Sequence, residues 1–309
     1  MTVVTVLGEA LIDIVVTPTG ERTEHVGGSP ANVAVGLARL GHGTALVTHI
    51  GTDERGQRIA DQLMGEGVRL DSASMAAQHT SIATAQLDSA GVASYEFSVE
   101  WQVDPATALT PGSHVHTGSI AATLSPGAEV VRRIVQAARA SSTVSYDPNV
   151  RPSLMGDHRA ALRIVEEMVG LADVVKASDE DLGWLYPGVA VAEVLARWSR
   201  GGPRLCVATR GGGPVSVLFG GELHEVPARQ VTVVDTVGAG DSFMAGLISG
   251  LLDAGMLGGA AARARLERAE WADIVSAVDR AIACAAITVG RVGANPPQRQ
   301  QLTQSAALR

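Results

Sequence analysis

Apolar residues along the chain fall into two alternating rhythms. Val3–Leu7 is a β-branched run closed by Gly8, which predicts a strand. A polar, turn-rich stretch covers Thr17–Ser29, and from Ala31 to Leu40 the apolar positions take helical spacing until Gly41 stops them. A strand at Thr44–Ile50 and a helix at Gln57–Met64 follow. Ile82–Leu87 and Val92–Val99 alternate with the strand period and join across Asp88–Ser89–Ala90–Gly91, the pattern of a hairpin. Beyond it the pattern predicts strands at Ser113–Thr117, Thr143–Asp147, Asp173–Lys176 and Arg204–Thr209, interleaved with helices at Gly127–Arg139, Arg159–Gly170 and Val191–Ser199. A second hairpin is expected over Val215–Glu225, and helices at Ala239–Leu252 and Trp271–Val289 close the pattern.

Strands alternating with helices at this spacing predict an α/β fold, a mostly parallel sheet flanked by helices on both faces. Ile12–Glu24 and the early hairpin do not fit that sheet. They are assigned to a small β lid, about residues 12–26 and 82–103, on one domain spanning residues 1–309. Gly255–Arg268, rich in Ala, Gly and Arg, reads as a surface excursion, and the tail after Pro297 as frayed. No internal repeat is visible.

Composition narrows the partners. The balance of 24 basic and 32 acidic residues gives −8, without a block of either sign, which argues against nucleic acid or an anionic membrane as partner. Two cysteines, Cys206 and Cys284, exclude a disulfide framework or a Cys-rich zinc site. Glu9 and Asp13 interrupt the apolar opening, so it does not read as a signal peptide. No apolar run approaches the roughly 18 residues of a membrane span. A soluble, cytoplasmic protein is expected.

The sharpest chemical feature is Asp235-Thr236-Val237-Gly238-Ala239-Gly240-Asp241, placed before an apolar helix. Gly-Ala-Gly at a helix start presents amide N–H groups without Cβ obstruction, where the dipole favours negative charge, so the place suits a phosphate. Asp241 in the first turn can take a proton from an attacking hydroxyl. Taken alone, the same residues are also what an ordinary helix N-terminus selects. A dinucleotide-binding reading fails because Phe243 holds the third-glycine position. Gly27-Gly28-Ser29-Pro30-Ala31-Asn32 opens another helix, and its Asn32 offers a donor and an acceptor to a hydroxyl.

Together these stretches resemble the two signatures of the ribokinase-like (PfkB) carbohydrate kinases, the first continuing through Val33-Ala34, Gly41 and Gly51, the second through Ala245-Gly246-Leu247. The resemblance implies a ribokinase-like fold and transfer of a phosphoryl group from ATP to a sugar hydroxyl. Asp241 resembles the catalytic base, and Gly238, Ala239 and Gly240 look like the anion hole. Asp13, Gly28 and Asn32 look like sugar contacts. Thr209-Arg210-Gly211-Gly212-Gly213 resembles the nucleotide loop, so Thr209, Gly211 and Gly213, with Ser178, are expected at the nucleotide. Asp235, Val237, Thr288, Arg291 and Gly293 fall where many members bind a monovalent cation, K⁺ here. Many members carry Asn-x-x-Glu near Mg²⁺; here the run is Ser178-Asp179-Glu180-Asp181. Asp181 is the expected Mg²⁺ residue, through water, with Glu180 as its competitor. Lys176, the one lysine of the chain, reads as a surface residue.

Asp147-Pro148-Asn149-Val150-Arg151 leaves a strand end, with three polar side chains at alternate positions. The run looks like fructokinases and 2-keto-3-deoxygluconate kinases, which makes Asn149 and Arg151 expected substrate contacts. Arg151 would suit the carboxylate of a keto acid. The lid, Tyr95-Glu96-Phe97-Ser98-Val99-Glu100-Trp101, carries two acids and no Arg, which favours a neutral sugar. Phe97 or Trp101 would cover that sugar or pack the lid. A fructokinase is therefore expected, with a keto-acid kinase and a catalytically silent sugar sensor as alternatives. The lid also suggests a homodimer.

Overall fold

The computed structural model describes residues 3–88 and 93–306. Its strands are β1 (Val3–Leu7), β2 (Leu11–Val16), β3 (Arg22–Gly27), β4 (Gly43–Val47), β5 (Val68–Leu70), β6 (Ile82–Leu87), β7 (Ala93–Ser98), β8 (His114–Gly118), β9 (Thr143–Asp147), β10 (Val174–Ser178), β11 (Leu205–Thr209), β12 (Val215–Phe219) and β13 (Glu222–Val226). Its helices are α1 (Ser29–Arg39), α2 (Glu54–Gly65), α3 (Gly127–Ala138), α4 (Pro152–Met155), α5 (His158–Leu171), α6 (Asp179–Leu185), α7 (Val191–Gly201), α8 (Ala239–Asp253), α9 (Ala260–Arg268), α10 (Trp271–Val289) and α11 (Arg299–Ala306).

Nine strands form the central sheet in the order β13-β12-β11-β10-β9-β8-β1-β4-β5. Pairing is parallel from β5 to β11 and antiparallel across β11, β12 and β13. Successive strand residues serve opposite faces. Val174 joins an apolar cluster with α1, α2, α8 and α10, while Val175 joins another with α3, α5, α6 and α7. Both faces are thus buried, which is why β1, β4, β10 and β11 are rich in Val, Leu and Ala, while β8 and β9 bury His114, His116, Thr143 and Ser145 in hydrogen bonds to one another.

The second sheet, in the order β3-β2-β6-β7, is the lid. Ile12 and Ile14 of β2 are buried towards the body, which leaves Asp13 between them on the other face. Part of the stretch expected as turns, Arg22–Gly27, is in fact the outer strand β3, paired with β2. Its exposed Arg22, Thr23 and His25 carry none of the alternation that marks a half-buried strand. The lid ends earlier than expected. Trp101 is 1% exposed, donates from Nε1 to the Ala121 carbonyl at 3.1 Å and packs in the body. The hairpin turn expected at residues 88–91 lies, after Asp88, outside the described residues.

Two further expectations change. Gly255–Arg268 is no mere surface excursion, for α9 buries Ala262 and Leu266. Arg263 binds Asp173 and the Arg139 and Ser142 carbonyls, stapling the helix to the starts of β9 and β10. The tail after Pro297 is not frayed over its described residues either. It forms α11, and Arg299 ties it to the Leu40 carbonyl and to Asp253. Among the described residues no helix is long and apolar enough to cross a membrane.

Candidate active site

Parallel strands deliver their C-terminal ends to one edge of the sheet, where open α/β folds bind ligands. Here that edge receives Glu9 after β1, Asp147 and Asn149 from β9, Ser178 from β10 and Thr209 from β11. Ser178 and Thr209 are direct partners in the β10–β11 register, so two expected nucleotide residues stand side by side. Gly211, at φ +46°, and Gly213, whose N–H donates to the Arg210 carbonyl at 2.7 Å, form the turn beyond them.

Helices α1 and α8 begin close together at this edge. Gly238 precedes α8 at φ +73°, a left-handed conformation, and a methyl group there would stand 2.5 Å from the Ala294 Cβ. Only glycine fits both demands. Asp241, in the first turn of α8, is 9% exposed. Ser29 Oγ donates to its Oδ1 at 2.6 Å, and Asn32 Nδ2 donates to its Oδ2 at 2.8 Å. Both carboxylate oxygens are therefore fixed by α1. Gly28 turns the chain into α1 at φ +103°, with the Glu9 carbonyl 2.5 Å from where a Cβ would stand. Gly28 thus shapes the entry to α1, and Asn32, expected on the sugar, holds Asp241.

Ser29 escaped the sequence reading. A Ser at a helix start reads as a cap, yet the cap position is Gly28 and makes no side-chain bond. The hydroxyl reaches instead to a residue 212 positions away.

The lid carries Asp13 into the same space. Asp13 pairs with His25 across the β2–β3 register, and a methyl group on Gly27, two residues further along β3, would fall 1.8 Å from Asp13 Oδ2. Burial pushes the Asp13 carboxyl up to about 6; Arg151 opposes that shift, whereas the charge of Asp241 adds to it. Glu9 lies deeper, 5% exposed, with Oε2 lacking a hydrogen-bond partner among the described residues. Burial pushes it up to about 7. The cleft thus gathers carboxyls whose protons are held near neutral pH, with Arg151 as the nearby cation.

The polar run after β9 does not point to one side. Asn149 adopts φ +36°, which breaks the extended geometry that alternation requires. Asp147 turns inward, 1% exposed, and accepts from Lys176 Nζ at 2.8 Å. Lys176 is 4% exposed, so the reading of a surface lysine is corrected. Arg151 remains exposed, bonded to the Asn149 and Val150 carbonyls.

Each Asp181 oxygen accepts one backbone N–H. Oδ1 accepts from the Val150 N–H at 2.7 Å and Oδ2 from the Ser178 N–H at 2.8 Å, while Ser178 Oγ caps the helix through the Asp181 N–H. Glu180 is exposed. Asp235 braces the remaining loop, accepting from the Val237 N–H at 3.0 Å and the Gly293 N–H at 2.8 Å. Those bonds hold its carboxyl below the usual range despite partial burial. Thr288, fully buried, lies 2.7 Å from Ser242 through its hydroxyl, and its carbonyl accepts from the Arg291 N–H at 3.0 Å. The structure therefore brings Asp235, Val237, Thr288, Arg291 and Gly293 to two facing turns.

Known proteins share this fold. The chain is 35% identical to a fructokinase of Klebsiella pneumoniae over 259 residues, covering 80% of this chain and 83% of that one. Its fold matches fructokinase from Xylella fastidiosa with bound ATP at a TM-score of 0.83, with 29% identity and 99% of each chain covered. It also matches fructokinase from Vibrio cholerae O395 in a fructose-, ADP- and calcium-bound form at a TM-score of 0.81 and 27% identity, over 98% of each chain. A double mutant of the Vibrio enzyme with fructose, ADP and potassium ion bound matches at a TM-score of 0.82 and 26% identity, again over 98% of each chain. The description "pfkB family carbohydrate kinase" matches residues 1–301, which takes in the lid, the Asp241 clamp and the two turns that carry Asp235 and Gly293. A ribokinase-like sheet with its lid, and a match running almost end to end, make this chain a member of the pfkB family of carbohydrate kinases.

Proposed function

We propose that this protein transfers the γ-phosphoryl group of ATP to a primary hydroxyl of D-fructose. The observation that carries the reading is the carboxylate of Asp241, held on both oxygens at the start of α8 beside the Gly238–Gly240 amides. The sugar would lie between the lid and the sheet edge, with Asp13, Gly28, Asn32, Asn149 and Arg151 around it. Asp241 takes the hydroxyl proton as the oxygen attacks the γ-phosphorus. The new O–P bond forms as the bridge to the β-phosphate breaks, and ADP leaves with that electron pair. The Gly238, Ala239 and Gly240 N–H groups stabilise the transferring group. Closure of the lid excludes water, which protects ATP from hydrolysis.

The nucleotide lies over Ser178, Thr209, Gly211 and Gly213 in this reading. Among the described residues no cluster of three or more His, Cys, Asp or Glu could hold a metal, and both Asp181 oxygens already accept backbone N–H groups. That donor set fits Mg²⁺ arriving on the phosphates with its own waters, with Asp181 accepting from one of them. When bound, Mg²⁺ supplies neutralisation of phosphate charge. The facing turns of Asp235, Val237, Thr288, Arg291 and Gly293 fit K⁺ through their carbonyls. We further read the chain as one ribokinase-like unit acting in the cytoplasm, with a homodimer forming through the lid.

Arg151 supports a second substrate reading. It is exposed at the cleft, and its charge reaches Asp13 and Glu9. Such a cation suits the carboxylate of 2-keto-3-deoxygluconate. A coupled ADP-release assay with ATP, Mg²⁺ and K⁺ separates the candidates when fructose, 2-keto-3-deoxygluconate, ribose and adenosine are run side by side. Turnover with fructose alone is expected. Turnover with the keto acid instead would transfer the substrate reading to Arg151, and silence with all four would favour a sugar sensor.

A further inference from the structure

Lys176 lies beneath the start of α8. Its Nζ donates to Asp147 Oδ2 at 2.8 Å, and among the described residues this is its one hydrogen bond. Two of the ammonium's three donors therefore lack a protein acceptor, although the residue is 4% exposed. A methyl group built on Gly240 would stand 3.0 Å from this Nζ, with no other atom outside the local helix backbone within 4 Å. Gly240 thus leaves the ammonium its seat.

The placement depends on the carboxylates around it. The N-terminus of a helix is the positive end of its dipole, so a cation there is opposed. Burial also works against the charge, but Asp147, then Asp181 and Asp241, outweigh it and keep the lysine protonated. The neighbouring His116 is held neutral, its pKa pushed down to about 3 by burial and by the Lys176 charge. The pair of Lys176 and Asp147 is therefore neutral overall, with spare donors on its cationic side.

We propose that Lys176, held by Asp147, is a further catalytic residue whose free donors bind an oxygen of the γ-phosphoryl group during its transfer. The inference rests on reading Gly238–Gly240 as the anion hole. Lys176 keeps its proton throughout: the sugar hydroxyl proton goes to Asp241, and the electron pair of the broken P–O bond goes to ADP.

Because the chain has one lysine, labelling with ¹³Cε-lysine gives one side-chain lysine NMR signal to follow in the wild-type protein. With Mg²⁺, fructose and the non-hydrolysable analogue AMP-PNP, that signal is expected to shift, together with the ¹⁵N-labelled amides of Gly238 and Gly240. Adenosine, which has no phosphate, should leave it in place. A lysine signal unmoved while the glycine amides respond would overturn the proposal and leave the anion hole standing. If neither moves under saturating analogue, the anion-hole reading fails and the proposal fails with it.

Lys176→Met gives the kinetic arm, with an expected loss of about 10²–10³-fold in kcat, the range for removing one transition-state donor. The pair Lys176→Met with Asp147→Asn leaves no unpaired buried carboxylate, and it should be as impaired as the single variant. Recovery of turnover in that pair would reduce Lys176 to a structural counter-ion and overturn the proposal.

Discussion

Ser29→Ala tests the clamp on the candidate base. The change removes a 2.6 Å hydrogen bond to Asp241 Oδ1 and leaves the 2.8 Å bond from Asn32. A hydrogen bond to a charged group contributes about 1.5–3 kcal/mol. If that free energy is what keeps the carboxylate aimed, kcat should fall about 10–100-fold, because each 1.36 kcal/mol is tenfold in rate. KM for the sugar should change little. Ser29 is not the cap of α1, so helix stability should survive the change. The assay is steady-state ADP release by wild type, Ser29→Ala, Asp241→Asn and the double variant. Asp241→Asn should itself lose about 10²–10⁴-fold, the range for a general base, while remaining folded by circular dichroism. In its background Ser29→Ala should cost almost nothing further, since groups acting as a unit are not additive. An undiminished Ser29→Ala effect in the Asp241→Asn background would refute the reasoning.

Glu9→Gln carries a pH signature. Glu9 ionises near its ordinary 4.5 when unfolded and near 7 in the fold, so between those values the folded state binds more protons and stability falls as pH rises. The variant should gain up to about 3 kcal/mol at pH 8 and little at pH 4.5. Denaturant titrations showing the same difference at both pH values would contradict this. Arg151→Met removes the cation that favours ionised Asp13, so the Asp13 titration, about 6 in the wild type, should move upwards. The acid limb of sugar affinity against pH should follow it, and an unmoved limb would dissociate the two residues. Gly238→Ala meets both the left-handed backbone and Ala294, with about 1–2 kcal/mol from the backbone alone. Its thermal midpoint should drop and its KM for ATP rise; an unchanged midpoint would argue against the geometry.

The elements legible in the sequence are those whose side chains serve one simple environment. Thr143–Asp147 and Trp271–Val289 were expected at the bounds they occupy, since a strand buried on both faces and a long apolar helix advertise themselves. Polar edge elements do not. The strand at Arg22–Gly27 is half exposed, and α9 and α11 are held by arginines whose acceptors lie far along the chain. Within the site, Asp241 and Asn32 were singled out from their motifs, yet the bond between them was not. Ser29 went unread and Lys176 was placed on the surface, because a hydroxyl at a helix start and a lone cation have ordinary meanings until the partner is seen. The run from Asp147 to Arg151 misled, because alternation presumes an extended backbone and Asn149 departs from it.

The clamp on Asp241 also bears on how the protein is made. Its two halves stand 212 and 209 positions apart in the chain. As synthesis proceeds, the lid and Asp13 emerge early, followed by strands β8 to β11. Until α8 has left the ribosome and docked on α1, the carboxylate and its holders belong to separate, unassembled pieces. A partly made chain can collapse around much of its sheet while Asp241 is still unclamped, so under the proposed function it cannot turn over ATP. Recovery of turnover during refolding would accordingly report the last long-range docking, while backbone circular dichroism follows the earlier growth of sheet and helix.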